Sequence, residues 1–268
     1  MNNELYSFVS KQKYLSDIPF IFERNIFEFD IKQANIHALL AAKVLTQNEF
    51  DYLSKLPKDL REIDIGNRIK ANAEIYNQIQ NKICLAKYYF CEQNNIQESQ
   101  VLRIANDSLY LVLPYNDINP VVSVDGVQFT FVLKNHFTNY MMLNKNVLFF
   151  CDTSGDYWNI DVKGVGQDKL SLHNEFLSCI CNILDARNNG GKEVAITEFN
   201  KLYNDYITYS LPIKTYRELN SSSMYKIKNI ANNDYYVSDL GLFTDNKNLD
   251  ITYNLDILRT IYSYLMQS

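Results

Sequence analysis

Two aspartates stand out because of where they lie in the chain. Asp30 lies near the end of 26–31, where apolar and acidic residues alternate in a pattern typical of a β-strand. Asp107 lies in the Asn-Asp pair that separates two apolar runs of 101–113, which predicts a β-hairpin with this aspartate at its tip. If the hairpin lies beside the first strand, both carboxyl groups emerge at one edge of a sheet. They would repel each other there unless a cation lay between them.

This arrangement predicts that Asp30 and Asp107 bind Mg²⁺ (or Mn²⁺), because such ions take oxygen ligands from one or two carboxylates and from substrate phosphates. Two ions roughly 3.5–4 Å apart can activate an attacking hydroxyl and stabilise a leaving pyrophosphate. The chemistry that follows is nucleotidyl transfer, in which the protein positions the reactants and neutralises charge.

Each aspartate also has a simpler interpretation. Asp30 precedes a predicted helix, and aspartate is among the best N-cap residues. Asp107 suits a turn without any further role. Both alternatives stay open at the level of sequence.

Two cations follow at helical spacing. Lys58 and Arg61 are three residues apart, so they lie on one face of a predicted helix, where they could bind a triphosphate. The alternative is a solvated face on which they pair with Glu62 or Asp64.

The surrounding pattern predicts the elements that position these residues. Helices are predicted over 34–45, 46–56 (with a Thr46–Glu49 capping box), 58–93 (interrupted at Gly66), 170–184, 192–209 and 255–266 (with Asn254 as N-cap). Further strands are predicted over 127–133 and 147–150. The first half is therefore α+β and the second mostly helical, with a boundary near 150–165.

Several short segments, in order, resemble family B DNA polymerases. The segments are 29–35 (motif A, D-x-x-S-L-Y-P-S), 58–66 (motif B, K-x-x-x-N-S-x-Y-G), 103–108 (motif C, Y-G-D-T-D-S), 134–137 (the K-x-Y element) and 161–164 (the lysine-glycine step into the thumb). The resemblance covers roughly residues 25–185.

The resemblance implies a polymerase-type palm, an antiparallel sheet with packed helices, over 1–155, with minimal fingers at 46–93, no exonuclease and a helical thumb-like region over 156–268. By position it implies metal ligation, triphosphate binding, a sugar contact and nucleic-acid binding. The residues that it assigns to these roles are Asp30 and Asp107 (metal), Lys58 and Arg61 (triphosphate), Asn35 (sugar), and Lys134 and Lys163 (nucleic acid). The implied partners are nucleic acid and nucleoside triphosphates.

The sequence departs from the family pattern at several positions. Ala105 replaces the first motif C aspartate, only Lys58 and Gly66 match motif B, and Asn35 stands where the family has the tyrosine that excludes a 2′-hydroxyl. Two alternatives therefore remain. One is a catalytically inactive palm that serves as a subunit of a phage replication, transcription or virion complex. The other is an unrelated α+β interaction protein.

Net charge, cysteine content and the length of apolar runs argue against some classes of protein. The net charge of −5 argues against a dedicated nucleic-acid binder, although a local basic groove is compatible with it. Five cysteines are too few for a disulfide scaffold, and no apolar run approaches membrane-spanning length. We therefore expect a cytoplasmic protein with reduced thiols. The many Asn, Ile, Lys and Tyr residues are typical of AT-rich genomes, bacteriophages among them.

Overall fold

The computed structural model describes residues 3–220, 226–229, 235–236 and 249–268. The helices in this part of the chain are α1 (Asn3–Val9), α2 (Ala34–Ala41), α3 (Gln47–Leu53), α4 (Lys58–Ala71), α5 (Glu74–Gln93), α6 (Gln167–Leu170), α7 (Asn174–Ile207) and α8 (Thr252–Gln267). The strands are β1 (Lys13–Leu15), β2 (Phe20–Ile21), β3 (Ile26–Ile31), β4 (Val101–Ala105), β5 (Ser108–Val112), β6 (Val121–Val124), β7 (Val127–Phe137), β8 (Asn139–Asn144), β9 (Val147–Asp152), β10 (Asn159–Lys163), β11 (Lys226–Asn229), β12 (Tyr235–Tyr236) and β13 (Leu249–Asp250). The predicted α+β class is confirmed. None of these helices is both long and apolar enough to cross a membrane.

Packing divides the chain into two compact units. Unit 1 comprises residues 1–18 and 25–136, and unit 2 comprises residues 19–24 and 137–268. The division lies earlier than the predicted boundary of 155/156, because β8 and β9 pair with β2 and β10 in one sheet. Unit 2 therefore contains a four-stranded sheet as well as helices. The palm and thumb identities of the two halves stay predictions.

Unit 1 contains a six-stranded sheet with the order β1-β4-β5-β3-β7-β6. The β4–β5 hairpin predicted over 101–113 is confirmed, and β5 pairs antiparallel with β3 so that Asp30 lies opposite Ser108. Successive side chains of β3 point to opposite faces of the sheet. Phe29 contacts Phe90 of α5, so Glu28 and Asp30 point to the other face.

The helices of unit 1 confirm some sequence predictions and correct others. The Thr46–Glu49 capping box at the start of α3 is present. The helix predicted over 34–45 ends at Ala41, because Lys43 adopts a left-handed φ of 59°. The helix predicted over 58–93 is two helices, and it breaks at Asn72, whose backbone is extended, rather than at Gly66.

Unit 2 packs α7 and α8 with the sheet β10-β9-β8-β2 around one apolar core. The two helices predicted over 170–184 and 192–209 lie end to end, largely within α7, and are separated by a break at Gly191, whose φ is 81°. Asn254 is not the N-cap of the last helix, which begins at Thr252. The Asn254 side chain is buried, and it accepts a hydrogen bond from the Leu219 amide (3.0 Å) and donates one to the Arg217 carbonyl (2.7 Å).

Candidate active site

The end of β3 and the β4–β5 turn bring Asp30 and Asp107 to one edge of the unit 1 sheet. The Ile31 amide donates a hydrogen bond to the Asp107 carbonyl (3.3 Å), which joins the turn to the end of β3. Asn106 takes the left-handed conformation, with φ 53°, that a tight two-residue connection requires. Its amide donates to the Gln12 carbonyl (2.7 Å), so the turn is held from a second side.

The Asp30 carboxylate is held within the sheet. Its Oδ1 accepts a hydrogen bond from the Ser108 hydroxyl (3.2 Å). Burial raises the pKa of Asp30, the negative charge of Asp107 raises it further, and Lys134 partly offsets both effects. Asp30 is not a helix cap, because Gln33 occupies the N-cap position of α2. That simpler interpretation of Asp30 is therefore wrong.

Burial also raises the pKa of Asp107. Its own backbone amide, and then the charges of Lys134, Lys58 and Lys87, act in the opposite direction. Asp30 and Asp107 are thus two half-buried carboxyl groups whose ionised forms are disfavoured by the protein. A divalent cation between them would relieve that cost.

Lys58, Arg61 and Lys134 lie around the same two carboxylates. Together with Asp30 and Asp107 they line one cavity of about 390 Å³ between the start of α2, α4 and β7. Within the part of the chain that the structure describes, Lys58 and Arg61 form no ion pair. Lys32 and Glu62 line it too, so the cavity places four cationic side chains beside three acidic ones.

Among the described residues, Lys58 and Arg61 do not form the ion pairs with Glu62 or Asp64 that the solvated-face alternative expected, but Lys58 is exposed, so a solvated face of α4 stays open. Asp64 pairs with Arg68 (2.7 Å), and Arg68 also reaches Glu49 of α3 (3.3 Å). Glu62 accepts a hydrogen bond from the Asn35 side chain (3.3 Å). Asn35 is the second residue of α2 and does not cap it, so its amide faces α4 across the cavity.

Glu28 was missed by the sequence reasoning. Its carboxylate is only 1% exposed, accepts hydrogen bonds from Tyr110 (2.6 Å) and Asn135 (2.6 Å), and lies 3.5 Å from Lys134. The signal was present, because Glu28 shares the alternation of 26–31 with Asp30. Glu28 orients Lys134 beside the cavity.

Lys87 of α5 was also missed. It is 1% exposed, and its Nζ donates to the carbonyls of Lys11 and Asn106, both at 3.1 Å. Burial lowers the pKa of this ammonium group, and the charge of Asp107 acts against that shift. The signal was a single lysine on an otherwise apolar helix face. Lys87 fixes the turn that carries Asp107.

Lys163 belongs to unit 2 and does not line this cavity, and its Nζ is 2.5 Å from the buried carboxylate of Asp161. The Lys163–Gly164 step has a structural explanation. Gly164 has φ 94°, and a Cβ there would lie 1.8 Å from the Asn146 carbonyl oxygen. A nucleic-acid contact by Lys163 stays a prediction.

The donor set suits a magnesium-type ion. No group of three or more His, Cys, Asp or Glu side chains that could hold a metal occurs within the described ranges. Asp30 and Asp107 supply two carboxylates, and Mg²⁺ commonly binds one or two carboxylates while it keeps water and phosphate ligands. The residues present therefore fit an ion that is completed by its substrate.

A family model for the Bacteriophage PBS1 gene 130 protein matches residues 1–267, so the chain belongs to this family. The match supports the phage source that the composition suggests. No curated protein matches the chain. The family description gives no activity and does not connect the chain with polymerases, so the resemblance to family B stays a prediction.

Proposed function

We propose that the protein is a metal-dependent nucleotidyltransferase with a polymerase-like palm in unit 1, which adds nucleotides to a nucleic-acid or protein primer. One observation carries the proposal. The carboxylates of Asp30, on β3, and of Asp107, in the β4–β5 turn, line the same cavity as Lys58, Arg61 and Lys134. Acidic metal ligands beside a cluster of cations are what a triphosphate with its divalent ion requires.

In this proposal each side chain has a defined task. Asp30 and Asp107 hold Mg²⁺ (or Mn²⁺), which when bound lowers the barrier to attack by a hydroxyl and to departure of pyrophosphate. Arg61 offers a planar fork to the phosphate oxygens, and Lys58 and Lys134 offer point charges. The primer hydroxyl forms a bond to the α-phosphorus, the bond to the β-phosphate oxygen breaks, and the hydroxyl proton passes to water.

The direct test is incorporation of labelled nucleotides on a primed template with Mg²⁺ or Mn²⁺. The Asp30→Asn, Asp107→Asn double variant should lose at least 100-fold in rate, since oxyanion and metal contacts of this kind contribute about 10²–10³ each. An Asp117→Asn, Asp168→Asn double variant carries the same charge change at exposed positions and should retain activity. Activity that survives in the first variant would contradict the proposal.

Asn35 extends the proposal to the sugar. It stands where family B polymerases have a tyrosine that excludes a 2′-hydroxyl, and its smaller amide lines the cavity. We therefore expect ribonucleotides to be incorporated at rates within about tenfold of deoxynucleotides, a difference of roughly 1.4 kcal/mol. Strict use of deoxynucleotides in the same assay would contradict this assignment.

The second candidate is a catalytically inactive palm that serves as a subunit of a phage replication, transcription or virion complex. The observation that favours it is one face of α4, on which Leu60 and Ile63 lie three residues apart and are 51% and 59% exposed. Exposed apolar side chains that lie together mark interaction surfaces. The absence of incorporation under every condition would favour this candidate.

A further inference from the structure

A second cavity adjoins the first. It has a volume of about 290 Å³ and lies between α4 and α5. Asn35, Glu62, Ile65 and Asp107 line both cavities, so the second opens beside the proposed metal and triphosphate site. The hydrogen bond between Asn35 and Glu62 lies where the two meet.

The lining of the second cavity is mostly apolar. Its walls are isoleucines of α4 and α5, namely Ile65, Ile69, Ile79 and Ile83. The Tyr76 ring also lines the cavity and is 43% exposed. Walls of this kind accept a flat ring, and a tyrosine adds offset stacking.

Two amide side chains supply the polar groups. Gln80 and Asn106 line the cavity, and neither side chain has a hydrogen-bond partner among the residues that the structure describes. An amide offers both donors and an acceptor, which is the pattern that the edge of a nucleobase requires. A few polar groups in an apolar cavity are what fixes the orientation of a ligand.

Gly66 keeps this cavity open. It lies in the interior of α4, where glycine costs about 1 kcal/mol relative to alanine. A Cβ at this position would meet no atom within 4 Å, so helix packing does not require glycine there. Because Gly66 lines the cavity, a larger side chain would occupy the space that a ligand needs.

We propose that this second cavity binds the base of a nucleoside triphosphate whose phosphates lie in the first cavity. The inference rests on the proposed function and deepens it. Gln80 and Asn106 read the edge of the base, and Tyr76 with the isoleucines holds its faces. The protein itself, rather than a template strand, then selects the nucleotide, so one base is preferred over the others.

The test is calorimetric titration of the full chain with Mg²⁺ and either inorganic tripolyphosphate or each nucleoside triphosphate in turn. We expect one nucleoside triphosphate to bind at least tenfold more tightly than tripolyphosphate. Gly66→Leu should reduce its affinity to the level of tripolyphosphate and leave tripolyphosphate binding unchanged. Asn67→Leu, which introduces the same side chain at the next, exposed position of α4 outside both cavities, is the matched control and should bind as the unaltered protein does.

The outcomes separate the two proposals. If every nucleoside triphosphate binds only as well as tripolyphosphate, or if Gly66→Leu has no effect, the base-binding inference is overturned while the phosphate site stands. If neither tripolyphosphate nor any nucleotide binds, the proposed function fails and the inference fails with it. Leucine favours helices over both glycine and asparagine, so unchanged melting temperatures or higher ones will show that α4 is intact in both variants.

Discussion

Asp30 and Asp107 are held together at a cost to the folded protein. Their pKa values are raised by burial, and for Asp30 also by the charge of Asp107. When the pKa of a carboxyl group is higher in the folded state than in the unfolded chain, folding favours its protonated form. Its contribution to the free energy of unfolding is therefore lost as the pH rises above the pKa of the unfolded chain. At neutral pH the metal-free site is therefore strained electrostatically.

From this we predict that Asp30→Asn and Asp107→Asn raise the melting temperature by a few degrees at pH 7 in the presence of a chelator. The asparagine removes the unfavourable charge and keeps the shape. Thermal denaturation at pH 7 and pH 4 provides the check, and the gain should shrink at pH 4, where the wild-type carboxyl groups are more protonated. Destabilisation at both pH values would mean that the carboxylates serve packing and hydrogen bonding instead.

His173 provides a second prediction at this scale. It is 1% exposed, neither ring nitrogen has a hydrogen-bond partner in the described part of the chain, and burial with the nearby Arg217 lowers its pKa to about 4. The folded protein favours the neutral ring. The contribution of His173 to the free energy of unfolding is therefore complete above 6.5, the ordinary pKa of histidine, and is lost as the pH falls towards 4.

Between pH 7 and pH 4.5 this group alone should remove about 2–3 kcal/mol from the free energy of unfolding. Over the same pH interval, the free energy of unfolding of the His173→Leu variant should fall by correspondingly less than that of the unaltered protein. Urea denaturation of both proteins at the two pH values measures the difference. Equal losses would show that His173 does not titrate in this way.

Residue placement marks the limit of sequence-based prediction. The strand pattern of 26–31 and the turn pair at 106–107 were predictable because each signal is local, but the pairing of β5 with β3, which brings Asp30 and Asp107 to one edge, entered only as a condition. The buried partners of the site were not predictable. Lys87 donates a hydrogen bond to the carbonyl of Lys11, 76 residues away in the chain, and Glu28 accepts one from the hydroxyl of Tyr110, 82 residues away. Such pairings exist only once the sheet and α5 have packed.

At the scale of elements, α4 carries Lys58 and Arg61 but buries only Ile65. It is held to α3 by Arg68, which bridges Asp64 and Glu49. The position of α3 in turn depends on its capping box, in which the Glu49 amide donates to the Thr46 hydroxyl (3.3 Å) and the Thr46 amide donates to the Glu49 carboxylate (2.8 Å).

Thr46→Ala removes half of this capping box, and we expect it to destabilise unit 1 by about 1 kcal/mol. Thr46→Ser keeps the hydroxyl and serves as the control. Its loss of unfolding free energy should be at most half that of Thr46→Ala. Urea denaturation compares the two variants. An equal loss in both would show that the methyl group of Thr46, and not its hydroxyl, stabilises the start of α3.

Capping signals and hairpins were predictable because they depend on a few neighbouring residues. The ends of α2 and α4 were not, since a left-handed Lys43 and an extended Asn72 have no strong sequence signature. Asn254 shows the reverse case. Its sequence position suggests a cap, but long-range hydrogen bonds to 217–219 determine its role.

At the scale of the whole molecule, the two units are not consecutive halves of the chain. Residues 19–24 belong to unit 2, where β2 pairs with β8. The sequence boundary at 155/156 would cut the four-stranded sheet, because it separates β9 from β10. Sequence patterns identify strands, but they do not reveal which distant strand is a partner.

A fragment of residues 1–155 should therefore not fold like the intact chain. It would retain β8 and β9 without β10, α7 and α8, and so expose Met141, Phe149 and Cys151, which are fully buried in the complete protein. We expect aggregation on size-exclusion chromatography, with the full chain as control. A monomeric fragment with native amide protection in β8 and β9 would contradict the assignment of these strands to unit 2.

If Asp30 and Asp107 jointly hold a divalent ion together with a triphosphate, electron paramagnetic resonance should detect the binding of Mn²⁺ titrated into the protein with inorganic tripolyphosphate. We expect Mn²⁺ to become protein-bound. Asp30→Asn and Asp107→Asn should each weaken its affinity at least tenfold, while Asp117→Asn, at an exposed position, should leave it unchanged. Equal Mn²⁺ affinity in the unaltered protein and in all three variants would show that the two aspartates do not hold the ion.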